Sequence, residues 1–254
     1  MEERDPWHLL PGERLDDLVR DGMRIIQRPD QFCFSLDSVL LAHFVTFRKK
    51  DRLVDLGTGT AVIPLLLSAF GASSVTAIEM NPLMADVARR NVEGNHKEGV
   101  ISVECLDYRK GRKRFPSGFF QVAVVNPPYR ERGRGALNAK EGVAAACHEL
   151  TASLSDVFEA ARYLLAYGGK LFMVHRADRL GDLIFEGRKA GMEMKRLRFI
   201  HSRKGDEASR LLAEWKYGGR PGLSVMAPLV VHREDGSYTE EILRIYGKTN
   251  EEEK

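Results

Sequence analysis

Residues 52 to 79, RLVDLGTGTAVIPLLLSAFGASSVTAIE, constrain this chain more than any other stretch. An apolar run carrying one carboxylate, Leu53-Val54-Asp55-Leu56, meets a turn of small residues, Gly57-Thr58-Gly59. A helix-like apolar segment runs from Val62 to Phe70, and a second short apolar strand closes on Glu79. The succession predicts one β-α-β unit. Its first turn lacks bulky side chains, so a ligand can approach the backbone and the helix N-terminus. Glu79 lies 22 residues beyond Gly57, at the tip of the second strand, where a carboxylate can accept hydrogen bonds from ribose hydroxyls. The turn is uncharged, and taken alone it leaves a dinucleotide and S-adenosylmethionine both open.

The choice between them rests on Asn126-Pro127-Pro128-Tyr129, which ends a later strand. Two prolines fix their own φ angles and lack N–H groups, so the Pro127 carbonyl has a stiffly defined direction. The Asn126 side-chain oxygen is a second acceptor. Two acceptors converging on a planar exocyclic amine can hold both N–H bonds and turn the nitrogen lone pair towards an electrophilic methyl group. Tyr129 offers an aromatic face on which a flat substrate can stack. No histidine base is required, because the amine can attack first and lose its proton afterwards. A nicotinamide oxidoreductase would share the glycine turn and Glu79 but leave these four residues without a purpose.

The remaining chain supplies a fold around these two segments. A helix is expected from Pro82 to Asn91, a third strand from Ile101 to Cys105 ending at Asp107, and a fourth from Phe119 to Val125. The fourth is apolar at six of its seven positions, with β-branched Val122, Val124 and Val125, as expected of a strand covered on both faces. Tyr167-Gly168-Gly169 is expected to turn into a fifth strand, Lys170 to His175, followed by a helix from Leu180 to Ala190. The last two strands, near 194–200 and 210–215, are joined by too few residues for a crossover helix and must pair antiparallel. The predicted class is therefore α/β: a doubly wound, seven-stranded, mostly parallel, Rossmann-like sheet with an antiparallel C-terminal edge hairpin. Residues 1–50 form an N-terminal extension over the cofactor site. It starts with a loosely held arm, continues into a hairpin whose short strands flank Arg28-Pro29-Asp30, and ends in a helix capped by Ser35 or Asp37. Residues 51–246 are the catalytic domain, and 247–254 a flexible tail.

Composition narrows the function class further. With 254 residues, 43% hydrophobic and 30% charged, the chain can bury a sizeable core. No apolar run approaches the roughly 18 residues of a membrane span, and no signal-peptide core opens the chain. Three cysteines without close spacing, Cys33, Cys105 and Cys147, read as small buried hydrophobes in a reducing, cytoplasmic interior. The seven histidines lack ligand spacing, so no metal is expected. Nothing calls for an obligate protein partner. The net charge of +3 is modest, but Arg109, Lys110, Arg112, Lys113 and Arg114 are five basic residues within six positions. Arg130, Arg132 and Arg134 follow the Asn-Pro-Pro-Tyr segment, and Arg196, Arg198, Arg203 and Lys204 surround the closing hairpin. Such loops can meet phosphates at the mouth of a crevice.

With these residues in view, positions 52–217 resemble a class I S-adenosylmethionine-dependent methyltransferase of the amino-methylating group, whose signature is (Asn/Asp)-Pro-Pro-(Tyr/Phe/Trp). The whole chain is similar to the bacterial tRNA1(Val) adenine-37 N6-methyltransferase family, through FCFSLDSVLLAHF, DLGTGTAVIPLLLS, NPPYR and KYGGRPGLSVMAPLVVH. The resemblance implies that Asp55, Gly57, Thr58, Gly59 and Glu79 hold S-adenosylmethionine, with Asp107 near its adenine and Asp37 near its methionine end. It implies that Asn126, Pro127 and Tyr129 hold the target base, Asn126 also bordering the cofactor, and that the substrate is tRNA. Ala61 stands where the fingerprint most often has a third glycine. Glutamine in a protein, or adenine in DNA or another RNA, would also present a planar amine to this site. A basic rim weighs against a protein substrate, and the lack of a large target-recognition domain against DNA.

Overall fold

The computed structural model describes residues 7–18, 20–31, 33–127 and 152–247. Pro128, Tyr129, the arginines at 130, 132 and 134, and Cys147 lie outside them, as does the tail beyond Gly247.

Two antiparallel strands, β1 (Arg14–Asp17) and β2 (Arg24–Gln27), precede helix α1 (Leu36–Phe44). Strand β3 (Leu53–Leu56), helix α2 (Val62–Ala69) and strand β4 (Val75–Glu79) form the expected β-α-β unit. Helix α3 (Pro82–Gly94) and strand β5 (Ile101–Cys105) extend it outward, and β6 (Phe120–Val125) returns to the other side of β3. Helix α4 (Leu154–Leu164), strand β7 (Leu165–Arg176), helix α5 (Leu180–Lys189) and the long hairpin of β8 (Met192–His201) and β9 (Ala208–Tyr217) follow. Two-residue strands β10 (Ser224–Val225) and β11 (Leu229–Val230) dock on β8, and helix α6 (Glu240–Ile245) closes the described chain.

The seven longer strands run in the order β8-β9-β7-β6-β3-β4-β5, all parallel except β9. This is the expected doubly wound sheet. The reversed strand is not its outermost member: β9 lies between β7 and β8, and the short β10 and β11 line the far side of β8. One face carries a core shared by α1, α2, α3 and α6, including Leu41, Leu65, Ala88 and Ile242. The other packs Phe158 and Leu164 of α4 and Leu183 of α5 against Met173 and Trp215. Trp215 is fully buried, 5.3 Å from Phe158 between ring centroids, and is a core residue.

Four local expectations are corrected. The N-terminal hairpin turns at Asp21-Gly22, both with positive φ, and not at Arg28-Pro29-Asp30. Asp-Gly is a strong hairpin signal because both central residues of such a turn need a left-handed backbone. From Trp7 onward the N-terminal arm is held: the Glu13 side chain is wholly buried and pairs with Arg90 at 2.6 Å. Tyr167-Gly168-Gly169 is a bulge inside β7, where the register with β6 moves from Phe120–Leu165 to Val122–Lys170. Gly168 provides the left-handed backbone the bulge needs. Cys105 is exposed rather than buried, because β5 is the outermost strand on its side and half solvated.

Candidate active site

The sheet reverses its winding between β3 and β6, and a crevice opens beyond the carboxyl ends of strands at such a switch point. Asp55 pairs with Val124 in register. Two residues later on each strand, the chain leaves the sheet at Gly57 and Asn126, side by side. The two segments singled out in the sequence therefore meet across one crevice.

On the β3 side, Gly57 and Gly59 have φ of 79° and 57°, and open space lies where a Cβ would stand. Ala61 also takes the left-handed conformation, at φ 67°. The position where the fingerprint most often has glycine keeps the glycine backbone, at the steric cost a Cβ brings. The Glu79 carboxylate ties the unit together, accepting from Gly59 N at 2.9 Å and from Asn81 N at 2.8 Å. Asn81 in turn caps α3, its side chain accepting from Leu83 N.

Asp55 is 1% exposed, and neither its carboxylate oxygens nor the nearby Thr58 hydroxyl makes a well-formed hydrogen bond among the described residues. Burial pushes its carboxyl up to about 7, with the Glu79 charge adding to the rise and the nearby Thr58 working against it. Orphaned buried acceptors are costly and call for a donor. An open turn, a strand-tip carboxylate and an unsatisfied acid floor fit a nucleoside that carries a cationic group. The chemistry of this donor set is compatible with S-adenosylmethionine.

On the β6 side, Pro127 is buried and Asn126 half-buried. The Asn126 amide donates from Nδ2 to the buried Ser38 Oγ at 3.0 Å, which orients its two ends. Ser38 comes from the first turn of α1, next to Asp37, whose carboxylate pairs with Arg210 of β9 at 3.3 Å. The expected helix cap at Ser35 forms no side-chain hydrogen bond. His175, at the carboxyl end of the neighbouring β7, is buried, and burial drives its pKa down to about 4, keeping it neutral.

Asp107 stands at the end of β5 as expected, but its carboxylate caps the short 3-10 helix Tyr108–Lys113 and grips Arg109 at 2.8 Å. Partial burial raises its pKa, but Arg109 outweighs that and holds it below the usual carboxylate range. The basic loops divide in the same way. Arg114 pairs with Glu104, Arg196 with Glu214 and Arg198 with Glu241. Lys110, Arg112, Lys113, Arg203 and Lys204 are exposed and make no ion pair among the described residues. Arg112 lies over the Tyr163 ring at 5.2 Å, beside a groove of about 340 Å³ between α4 and α5 that is separate from the crevice.

One residue absent from the sequence-based expectations touches the cofactor turn directly. Asn91, on the buried face of α3, donates from Nδ2 to the Thr60 carbonyl at 3.0 Å. Its only sequence signal is a second asparagine, Asn95, one helical turn later.

The family profile of the methyltransferase small domain matches residues 24–181. A Porphyromonas gingivalis protein named tRNA1(Val) (adenine(37)-N6)-methyltransferase is 29% identical over 209 residues, 77% of this chain and 78% of its own. A Photobacterium profundum protein of the same name is 25% identical over 214 residues, 83% of this chain and 88% of its own. Among solved structures, a predicted O-methyltransferase from Agrobacterium tumefaciens superposes with a TM-score of 0.66. It is 24% identical, and the match covers 84% of this chain and 96% of that one. Methanocaldococcus jannaschii Trm5, in complex with adenosine, superposes with a TM-score of 0.56 at 15% identity, over 84% of this chain and 58% of its own. These likenesses place the fold among the class I methyltransferases.

Proposed function

Because the chain belongs to the methyltransferase small-domain family, we propose that it methylates N6 of an adenine in tRNA, at position 37 beside the anticodon of a valine tRNA, with S-adenosylmethionine as methyl donor. The observation that carries this reading is the placement of Asn126 next to the glycine turn, with Ser38 holding the amide's nitrogen end. The names of the relatives support tRNA as the substrate.

Bound along the glycine turn and Glu79, S-adenosylmethionine supplies an electrophilic methyl group. The protein's own part is alignment. Asp55, Thr58 and Glu79 fix the nucleoside and the amino-acid end of the donor on one wall. With Ser38 on its nitrogen, Asn126 presents its Oδ1 to one N–H of the adenine amine, and the Pro127 carbonyl takes the other. Both acceptors become more favourable as the amine gains positive charge, so they stabilise the transition state more than the ground state. Tyr129 stacks on the flipped base and makes its unstacking from the loop less costly. After attack, the surplus amine proton leaves along one of these acceptors to solvent. His175, held neutral by burial, adds no positive charge beside the site at physiological pH. The five exposed lysines and arginines without carboxylate partners position the RNA backbone and take no part in the chemical step.

The deciding experiment is mass mapping of modified nucleosides in tRNA from cells with and without this protein, followed by methylation of a valine tRNA transcript in vitro. N6-methyladenosine that disappears with the gene and is restored by the purified protein supports the reading. Methylated glutamine in a protein, with the tRNA unchanged, overturns the substrate while keeping the chemistry.

A further inference from the structure

Along α3, two asparagines one turn apart face strand β2. Asn91 accepts from Ile26 N at 2.6 Å and donates to Ile26 O at 3.0 Å. Asn95 accepts from Arg24 N at 3.0 Å and donates to Arg24 O at 2.7 Å. Arg24 and Ile26 are alternate residues of β2, so their backbone groups point to the same edge, the one not paired with β1. The two side-chain amides thus occupy a strand edge as a third strand would. Trp7, packed on Gly94, and Glu13, paired with Arg90, add to the docking along the same helix.

Asn91 does one thing that Asn95 does not. Its amide nitrogen has a second hydrogen, and that one goes to the carbonyl of Thr60, inside the cofactor turn. Thr60 lies between Gly59 and Ala61, both left-handed, and Ala61 holds that conformation against its Cβ. A strained segment keeps one shape only if its surroundings over-determine it. Glu79 fixes the turn at Gly59 N, and Asn91 fixes it one residue later at the Thr60 carbonyl. Asn91 is wholly buried, and with all three bonds made it has no alternative partner to turn to.

We propose that Asn91 is a positioning residue for the methyl donor, coupling the N-terminal hairpin to the glycine turn through the chain Ile26–Asn91–Thr60. The hairpin is then part of the cofactor site without touching the cofactor, and ordering of either end favours ordering of the other. The inference rests on the proposed reading only for the identity of the cofactor, not for the substrate.

The test is calorimetric titration of S-adenosylhomocysteine, without RNA, into the parent, Asn91→Ala, Asn95→Ala and the double variant Asn91→Ala/Ala61→Gly. Asn91→Ala is expected to weaken binding about tenfold, the size of one lost, well-made hydrogen bond plus the freed turn. Asn95→Ala removes the same kind of hairpin contact, should lower the melting temperature comparably, and should leave affinity within about twofold. Ala61→Gly, by removing the Cβ strain, should recover several-fold of the loss in the Asn91→Ala background. In steady state the loss falls on the cofactor KM more than on kcat. Should Asn91→Ala fail to fold, hydrogen exchange on the parent gives the answer: S-adenosylhomocysteine should slow exchange at residues 24–27 as well as at 57–61. Parental affinity in Asn91→Ala, equal losses in the two asparagine variants, or unaltered exchange in the hairpin would each overturn the coupling. A parent that binds S-adenosylhomocysteine but leaves tRNA unmethylated would instead overturn the substrate reading alone.

Discussion

The two walls of the crevice are built in different ways. The wall proposed to hold the cofactor is mostly local: Glu79 reaches Gly59, 20 residues away, and Asn81, two residues away. The wall proposed to hold the substrate is assembled from distant parts of the chain: Asn126 is oriented by Ser38, 88 residues earlier, and the adjoining Asp37 is paired with Arg210, 173 residues later. The Glu79 contacts can form as soon as their β-α-β unit does, and the Asn91 contact is added when the hairpin docks. An assembled wall reports on the whole fold, because both the N-terminal extension and the C-terminal hairpin must be docked for it to exist. Damage to the first should show in cofactor binding, and damage to the second in the rate of methyl transfer.

The largest effect should come from Asn126→Ala, which removes one of two acceptors aligning the amine. We expect a loss of about 3 kcal/mol, roughly a hundredfold in the single-turnover rate, with a change of no more than a few-fold in S-adenosylhomocysteine affinity. Equal losses in both would erase the distinction between the walls. Glu79→Ala is the counterpart on the cofactor side. It strips charge-assisted acceptors from two backbone N–H groups and the ribose, and should weaken S-adenosylhomocysteine by about 2 kcal/mol, or roughly thirtyfold by titration.

Asp55 gives a pH signature to the same wall. Its folded pKa, raised to about 7, lies above the ordinary 3.8, so the folded state binds the proton more tightly than the unfolded chain. Stability from this group is therefore fully present below about pH 4 and is lost as pH rises towards 7. Asp55→Asn removes the charge that causes the loss. Its melting temperature should exceed the parent's at pH 8 by several degrees, and the gap should close towards pH 4. A gap that does not vary with pH would show that Asp55 is not buried with its charge. The smallest effect belongs to Ser38→Ala, which frees the Asn126 amide to turn. About 1 kcal/mol, near fivefold in rate, should be lost, and Ser38→Thr should restore most of it. Cofactor affinity that follows the rate would mean that Ser38 belongs to the other wall.

The same contrast explains what could be read from the sequence. Asp55, the glycine turn and Glu79 lie within one β-α-β unit, where spacing along the chain translates directly into position in space. Asn126 could be placed because a strand leads to it. Asn91 could not, since its meaning depends on a strand edge 65 residues upstream. The hairpin turn is harder to read, because Asp21-Gly22 competes with the more conspicuous Arg28-Pro29-Asp30. Counting charge was also an incomplete guide to the RNA-facing surface: Arg109, Arg114, Arg196 and Arg198 are neutralised by carboxylates from other elements or a neighbouring turn.

The position of β9 has a consequence for how the protein is made. Strand β7, twelve residues long, finds its outer neighbour in β9, while β8, synthesised earlier, takes the place beyond. A nascent chain that has emerged only through β8 therefore holds a β7 edge with no native partner. Such an edge is a template for pairing with another chain. The sheet can be completed only when residues 208–217 arrive, pairing with β8 on one side and β7 on the other. A pause that holds the chain before Ala208 has emerged would prolong that exposed interval, and a pause after Tyr217 has emerged would not.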